Sequence, residues 1–100
     1  MRRGTTEPIT FTVPFDTQEI KTLNIAFSQM GEVVLEKSLS DVSLDGNKIL
    51  LNMTQEDTLA LHHRSMVFIQ LRVLKKDGSA HASDVERDYV DEILRDGVLQ

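Results

Sequence analysis

Ser65-Met66-Val67-Phe68-Ile69-Gln70-Leu71-Arg72-Val73-Leu74-Lys75 sets the architecture of this chain. Val67, Ile69, Leu71 and Val73 fall on one side of a two-residue repeat, and Phe68, Gln70 and Arg72 on the other. That period belongs to a strand, because successive strand side chains point to opposite faces. Lys76-Asp77-Gly78 then reads as a three-residue hairpin loop with Gly78 left-handed. In that register Val73 faces His81, Leu71 faces Ser83 and Ile69 faces Val85, while Asp84, Glu86 and Asp88 point to solvent. A two-residue loop would instead set those acids opposite Leu71, Ile69 and Val67 and bury unpaired charge.

The same period recurs in both directions along the chain. Ile9, Phe11 and Val13 alternate with Thr10 and Thr12, and Pro14 ends that strand because it has no N–H for a ladder. Leu23, Ile25 and Phe27 alternate with Asn24, Ala26 and Ser28, up to the break at Met30-Gly31. Val33 and Leu35 alternate with Val34 and Glu36, and Val42 and Leu44 flank Ser43. Asp45-Gly46-Asn47 carries a hairpin signal into Ile49, Leu51 and Met53. Short strands separated by such turns predict an all-β fold, a single antiparallel immunoglobulin-like β-sandwich of about seven strands.

Two segments depart from the pattern. Thr54-Gln55-Glu56-Asp57 offers an N-cap and first-turn acids, so one helical turn is predicted near 54–58, as a crossover between sheets. Residues 84–95 are contested. Ser83 and Glu86 match a capping box, Val85, Tyr89 and Ile93 recur at spacing four, and Gly97 is a candidate C-cap. The alternative fold is therefore α+β with a C-terminal helix over 84–95.

One hundred residues make one domain, since two would each be too small to bury a core. Residues 1–7 read as a flexible N-terminal tail and 8–100 as the single sandwich domain. Without cysteine there is no disulfide framework and no thiolate metal site or nucleophile. The net charge of -5 is unevenly spread. Residues 78–100 hold six acids and two bases, which argues against a phosphate-backbone surface. The basic cluster Arg72, Lys75 and Lys76 reads as a solvated hairpin end. No apolar run reaches the ~20 residues that span a bilayer, and Met1-Arg2-Arg3-Gly4 lacks the apolar stretch of a signal peptide. Neither nucleic acid nor membrane is an expected partner.

Site chemistry is sparse. His62 and His63 are adjacent and point apart if extended, so they do not easily share a metal. Asp84, Glu86 and Asp88 lie along a line, whereas a calcium loop must wrap around its ion. There is no Gly-x-Ser-x-Gly and no glycine-rich phosphate loop. No enzyme activity, catalytic residue, metal or cofactor is expected. What stands out is an excess of apolar faces. Met66, Phe68 and Leu74 oppose the core side of their strand, and Leu50 opposes Ile49 and Leu51, although a sandwich needs one buried face per sheet. With Tyr89, the one aromatic among charges, these residues form the candidate interaction surface: Leu50, Met66, Phe68, Leu74 and Tyr89.

Several longer stretches resemble a known group. They include Thr10-Phe11-Thr12-Val13-Pro14-Phe15-Asp16, Ile25-Ala26-Phe27-Ser28-Gln29, Leu44-Asp45-Gly46-Asn47, Met53-Thr54-Gln55-Glu56-Asp57-Thr58-Leu59 and Gln70-Leu71-Arg72-Val73. Lys76-Asp77-Gly78-Ser79-Ala80-His81-Ala82-Ser83 and Ile93-Leu94-Arg95-Asp96-Gly97-Val98-Leu99 complete the set. Over roughly residues 8–99 the chain resembles small prophage-encoded β-sandwich proteins of gut Firmicutes, which look like the N-terminal module of the baseplate upper protein of Gram-positive phages. The resemblance implies a non-enzymatic structural or adaptor module, tail- or baseplate-associated, with phage structural proteins as partners and self-association among its contacts. It also implies a place in the bacterial cytoplasm during assembly and then in the virion. In such relatives the last segment is a strand, which favours strand over helix here; Glu86, Arg87 and Asp88 replace some of the β-formers expected there. Two other classes remain as alternatives: a carbohydrate- or calcium-binding sandwich, and a small acidic inhibitor of a host enzyme.

Overall fold

The computed structural model describes residues 1–100. Eight strands follow in order: β1 (Pro8–Thr12), β2 (Ile20–Gln29), β3 (Glu32–Ser38), β4 (Val42–Asp45), β5 (Lys48–Asn52), β6 (Ser65–Lys75), β7 (Ala80–Ala82) and β8 (Glu86–Val90). They form two antiparallel sheets. The smaller has the order β1-β5-β4; the larger runs β3-β2-β6-β7, with β8 also paired to β6. The all-β sandwich is therefore the observed class, with eight strands where about seven were expected. Pairing joins β1 to β5 and β2 to β6. With β1 to β7 taken as strands B, C, C′, D, E, F and G, the sheets are B–E–D and C′–C–F–G, the strand order of an immunoglobulin-like sandwich with an added C′ strand, as expected.

The core lies between the sheets, as the alternation predicts. Ile25, Phe27, Ile49, Leu51, Val67 and Leu71 are all buried, packed with Met53, Leu61 and Val90. Hairpins within a sheet turn on left-handed residues. Met30-Gly31 joins β2 to β3, Gly46 joins β4 to β5, and Gly78 (φ 89°) closes the expected three-residue loop. Lys75 N donates to Ser79 O and Gly78 N to Lys75 O, and Asp77 Oδ1 accepts from both the N–H and the hydroxyl of Ser79. Changes of sheet use short helical turns instead. A 3-10 turn at Thr17–Glu19 leads from β1 to β2, and another at Leu39–Asp41 leads from β3 to β4. Helix α1 (Gln55–Leu59) leads from β5 to β6, with Thr54 as its cap.

Three expectations change in detail. The final segment is the strand favoured above, at Glu86–Val90, in place of the alternative 84–95 helix. Its register differs. Val73 pairs with His81 as expected, but Ile69 pairs with Glu86 and Val67 with Asp88, not Ile69 with Val85. The chain gains one residue between β7 and β8, which turns those acids to the core side after all. Burial does not follow, because β8 lies at the sheet edge. Glu86 stays exposed, and the half-buried Asp88 meets the amino group of Met1 at 2.9 Å. Second, Val33 faces out. The β2–β3 register steps between Phe27 and Ser28, so Leu35 opposes Phe27 while Val33 opposes Ser28 on the outer face. A bulge at Val34 inverts the parity. Third, residues 1–3, read as part of a tail, lie against the end of β8. Arg2 bridges Asp91 in parallel, Met1 N donates to the Tyr89 carbonyl, and Arg3 pairs with Asp96.

Candidate interaction surface

Odd-numbered residues of β6 from Val67 to Val73 enter the core, so its even-numbered residues must face out. On that outer side Phe68 stands between Ser28 of β2 and Arg87 of β8, and Met66 stands beside Tyr89. Val33 continues the row across β3. Directly opposed strand residues have Cβ atoms ~5 Å apart, which sets Met66 beside Tyr89 and Phe68 beside Ser28 and Arg87, with Ser28 standing between Phe68 and Val33. Met66 is 39% exposed, Phe68 36%, Tyr89 46% and Val33 58%. Met30 in the adjoining turn (φ 51°) and Val85 ahead of β8 are exposed as well. Single exposed apolar side chains are ordinary, but a contiguous group is a contact feature.

The five expected residues divide. Met66, Phe68 and Tyr89 come together. Leu74 shares their face but sits between Thr22 and Ala80, with Gln70 and Arg72 intervening. Leu50 lies on the outer side of the other sheet, between Thr10 and Ser43. Val33, Met30 and Val85 were missed. The β-bulge hides Val33 from any simple two-residue count, and Met30 and Val85 stand outside the strands that such a count describes.

Other chemistry is dispersed. No group of three or more His, Asp and Glu side chains converges as a metal site. His62 is held by its backbone to Gln29, whereas the His81 ring packs 5.3 Å from Phe15. Lys75 leaves the basic cluster to lie 4.9 Å over Phe15 and 3.7 Å from Glu19. Asp57 is the best-held acid. Burial pushes its pKa up, but hydrogen bonds from Lys37 and the Thr54 N–H, with the Lys37 charge, outweigh that and hold it below 3.8. Lys37 Nζ lies 2.8 Å from Asp57 Oδ1, and Thr54 N donates to Oδ2 at 2.9 Å. This is the capping box of α1, a structural lock. No helix is long and apolar enough to cross a membrane.

Comparison with known proteins finds no matching family model, no matching curated protein and no matching solved structure.

Proposed function

We propose that the chain is a non-enzymatic structural or adaptor module of phage or prophage origin, associated with a tail or baseplate and working through protein–protein contacts. The contact half of this reading is carried by one observation: exposed Met66, Phe68 and Tyr89 lie on neighbouring positions of the outer side of the larger sheet, with exposed Val33 beyond Ser28 on the same side. The phage half is supported by the resemblance of the turn and strand segments alone, and moving from a sandwich to a baseplate is fold-level analogy. The partners are phage structural proteins, a second copy of the chain, or both, met in the bacterial cytoplasm during assembly and retained in the virion.

Light scattering across a concentration series tests the contact. Self-association should rise with concentration and be lost in Met66→Glu with Phe68→Glu, two exposed positions at which a charge need not unfold the chain. Mass spectrometry of induced, purified virions tests the origin. A chain monomeric at every concentration and absent from virions would overturn the proposal.

A further inference from the structure

The two sheets are unequal, and the mismatch leaves an opening between them. β1 is a free edge of the smaller sheet, with β5 as its single strand neighbour. Facing it across the interior is the edge of the larger sheet where β7 gives way to β8. A cleft of about 500 Å³ separates the two. Its floor is Ile69, Leu71 and Val73, one wall is Ile9, Phe11 and Phe15, and the far rim carries His81 and Glu86. Ile9 and Phe11 point inward beside Leu51 and Ile49, which are fully buried, yet they remain only partly buried themselves.

The backbone at the rim is an exposed strand edge. Val13 N donates to Asn47 O and Met53 N to Glu7 O, at the two ends of the β1–β5 ladder. Antiparallel bonding alternates, so the odd-numbered residues of β1 bond toward β5. The N–H and C=O groups of Thr10 and Thr12 therefore point out from the free edge. Pro8 and Pro14 flank them, as prolines do at sheet edges.

The charge around the cleft has a direction. Lys75 and His81 close the Phe15 end, and Lys75 is already paired with Glu19. Glu86 stands at the Ile69 end. Asp88, Glu92 and Asp96 each have a cationic partner within the chain, but Glu86 has none.

We infer that this cleft takes an extended segment of a partner protein, added antiparallel along β1, with apolar side chains at alternate positions over Leu71 and a Lys or Arg against Glu86. Main-chain bonds to Thr10 and Thr12 give such a strand its affinity, and the cleft and Glu86 give it selectivity. The inference goes beyond the outer contact row, which lies on the opposite side of the larger sheet, so either can fail alone.

The test uses the 15N-labelled full chain and a blocked peptide, acetyl-(Thr-Val)3-Lys-amide, with its Lys→Glu counterpart. The Lys peptide should slow amide exchange at Thr10 and Thr12 about tenfold, since only an occupied edge protects outward N–H groups. Shifts should gather at residues 9–13, 69–73 and 81–86. The Glu peptide should bind about fivefold more weakly, the size of one rim ion pair. Glu86→Lys, an exposed change, should reverse that order. Unchanged exchange at millimolar peptide, equal binding of both peptides, or shifts confined to Met66 and Phe68 would overturn the inference. Protection of Thr10 and Thr12 that grows with protein concentration alone would assign the edge to a second copy and overturn the partner assignment.

Discussion

Gln29→Leu should be among the most damaging single changes outside the apolar core. Gln29 ends β2 and is 1% exposed. Its Nε2 donates to the His62 carbonyl at 2.8 Å, and its Oε1 accepts from the His62 N–H at 2.7 Å. The pair fastens the loop after α1 to the larger sheet, next to Arg64, which sits at φ 56°. Leucine has similar volume, so the change removes bonds with little cavity. Two bonds at about 1 kcal/mol each give ~2 kcal/mol, and each His62 group left dry adds ~1–3 kcal/mol more. Because the His62 residue is exposed, water reaches part of the site, so about 2–3 kcal/mol is expected. At roughly 4–8 °C per kcal/mol for a domain of this size, the midpoint should fall by about 10–20 °C. Urea and thermal unfolding followed by far-UV circular dichroism measure it. Gln70→Leu is the control: half-buried Gln70 makes one 3.0 Å bond to the Ser83 carbonyl and should cost less than about 1 kcal/mol. Gln29→Glu sharpens the test. Its carboxylate would face the His62 carbonyl, so it should be worse than leucine at neutral pH and recover on acidification, when a protonated oxygen can donate. A Gln29→Leu protein no less stable than Gln70→Leu would refute the reasoning.

Four further substitutions have outcomes set by the geometry. Asp57 is held below its ordinary value, so its stabilisation is complete above that value and lost as pH falls through the lower folded pKa; Lys37→Met keeps the Thr54 bonds but removes the Lys37 bond and charge, so the pKa is lowered less, stability at neutral pH is smaller, and acid unfolding followed by circular dichroism should begin at higher pH. At neutral pH the same variant should lose about 1.5–3 kcal/mol in urea, the range for a charged hydrogen bond. Leu71→Ala, in the floor of the core, should cost about 2–5 kcal/mol by the same method, with an unchanged urea slope. Gly78→Val should cost about 1–2 kcal/mol from its positive φ alone, since a Cβ there meets nothing within 4 Å; Gly4→Ala should cost a similar amount, because the Ile93 Cδ1 that lies 2.9 Å from its Cβ is the movable end of a side chain.

The two-residue period of β6 was legible because core burial imposes it directly, and the loop at Gly78 because positive φ selects glycine. The α1 cap was legible for a similar reason: Thr54 and Asp57 satisfy each other within one turn. What resisted was information held across strands. Ser83 and Glu86 look locally like a capping box, yet Ser83 Oγ accepts from the Leu71 N–H and its own N–H donates to the Leu71 carbonyl. The step before β8 and the bulge at Val34 each shift parity by one residue, and no periodic count detects a shift that a partner strand creates. Of the candidate contact residues, those on β6 could be placed from its own alternation. Their neighbours Val33 and Tyr89 depended on registers set elsewhere.

The three sheet changes share a device with consequences for how the chain assembles. Each holds an aspartate bonded to a backbone N–H two or three residues away: Asp16 to Gln18, Asp41 to Ser38 and Asp57 to Thr54. Which sheet a strand joins is therefore encoded in contacts that close within a few residues. The hairpins β2–β3, β4–β5 and β6–β7 are equally local. The joining of β2 to β6 and β1 to β5 is not, since the paired residues lie between 36 (Thr12 and Lys48) and 55 (Ile20 and Lys75) positions apart. Sorting of strands can thus precede closure of the sandwich, and the largest loop-closure entropy falls on the joining of preassigned hairpins.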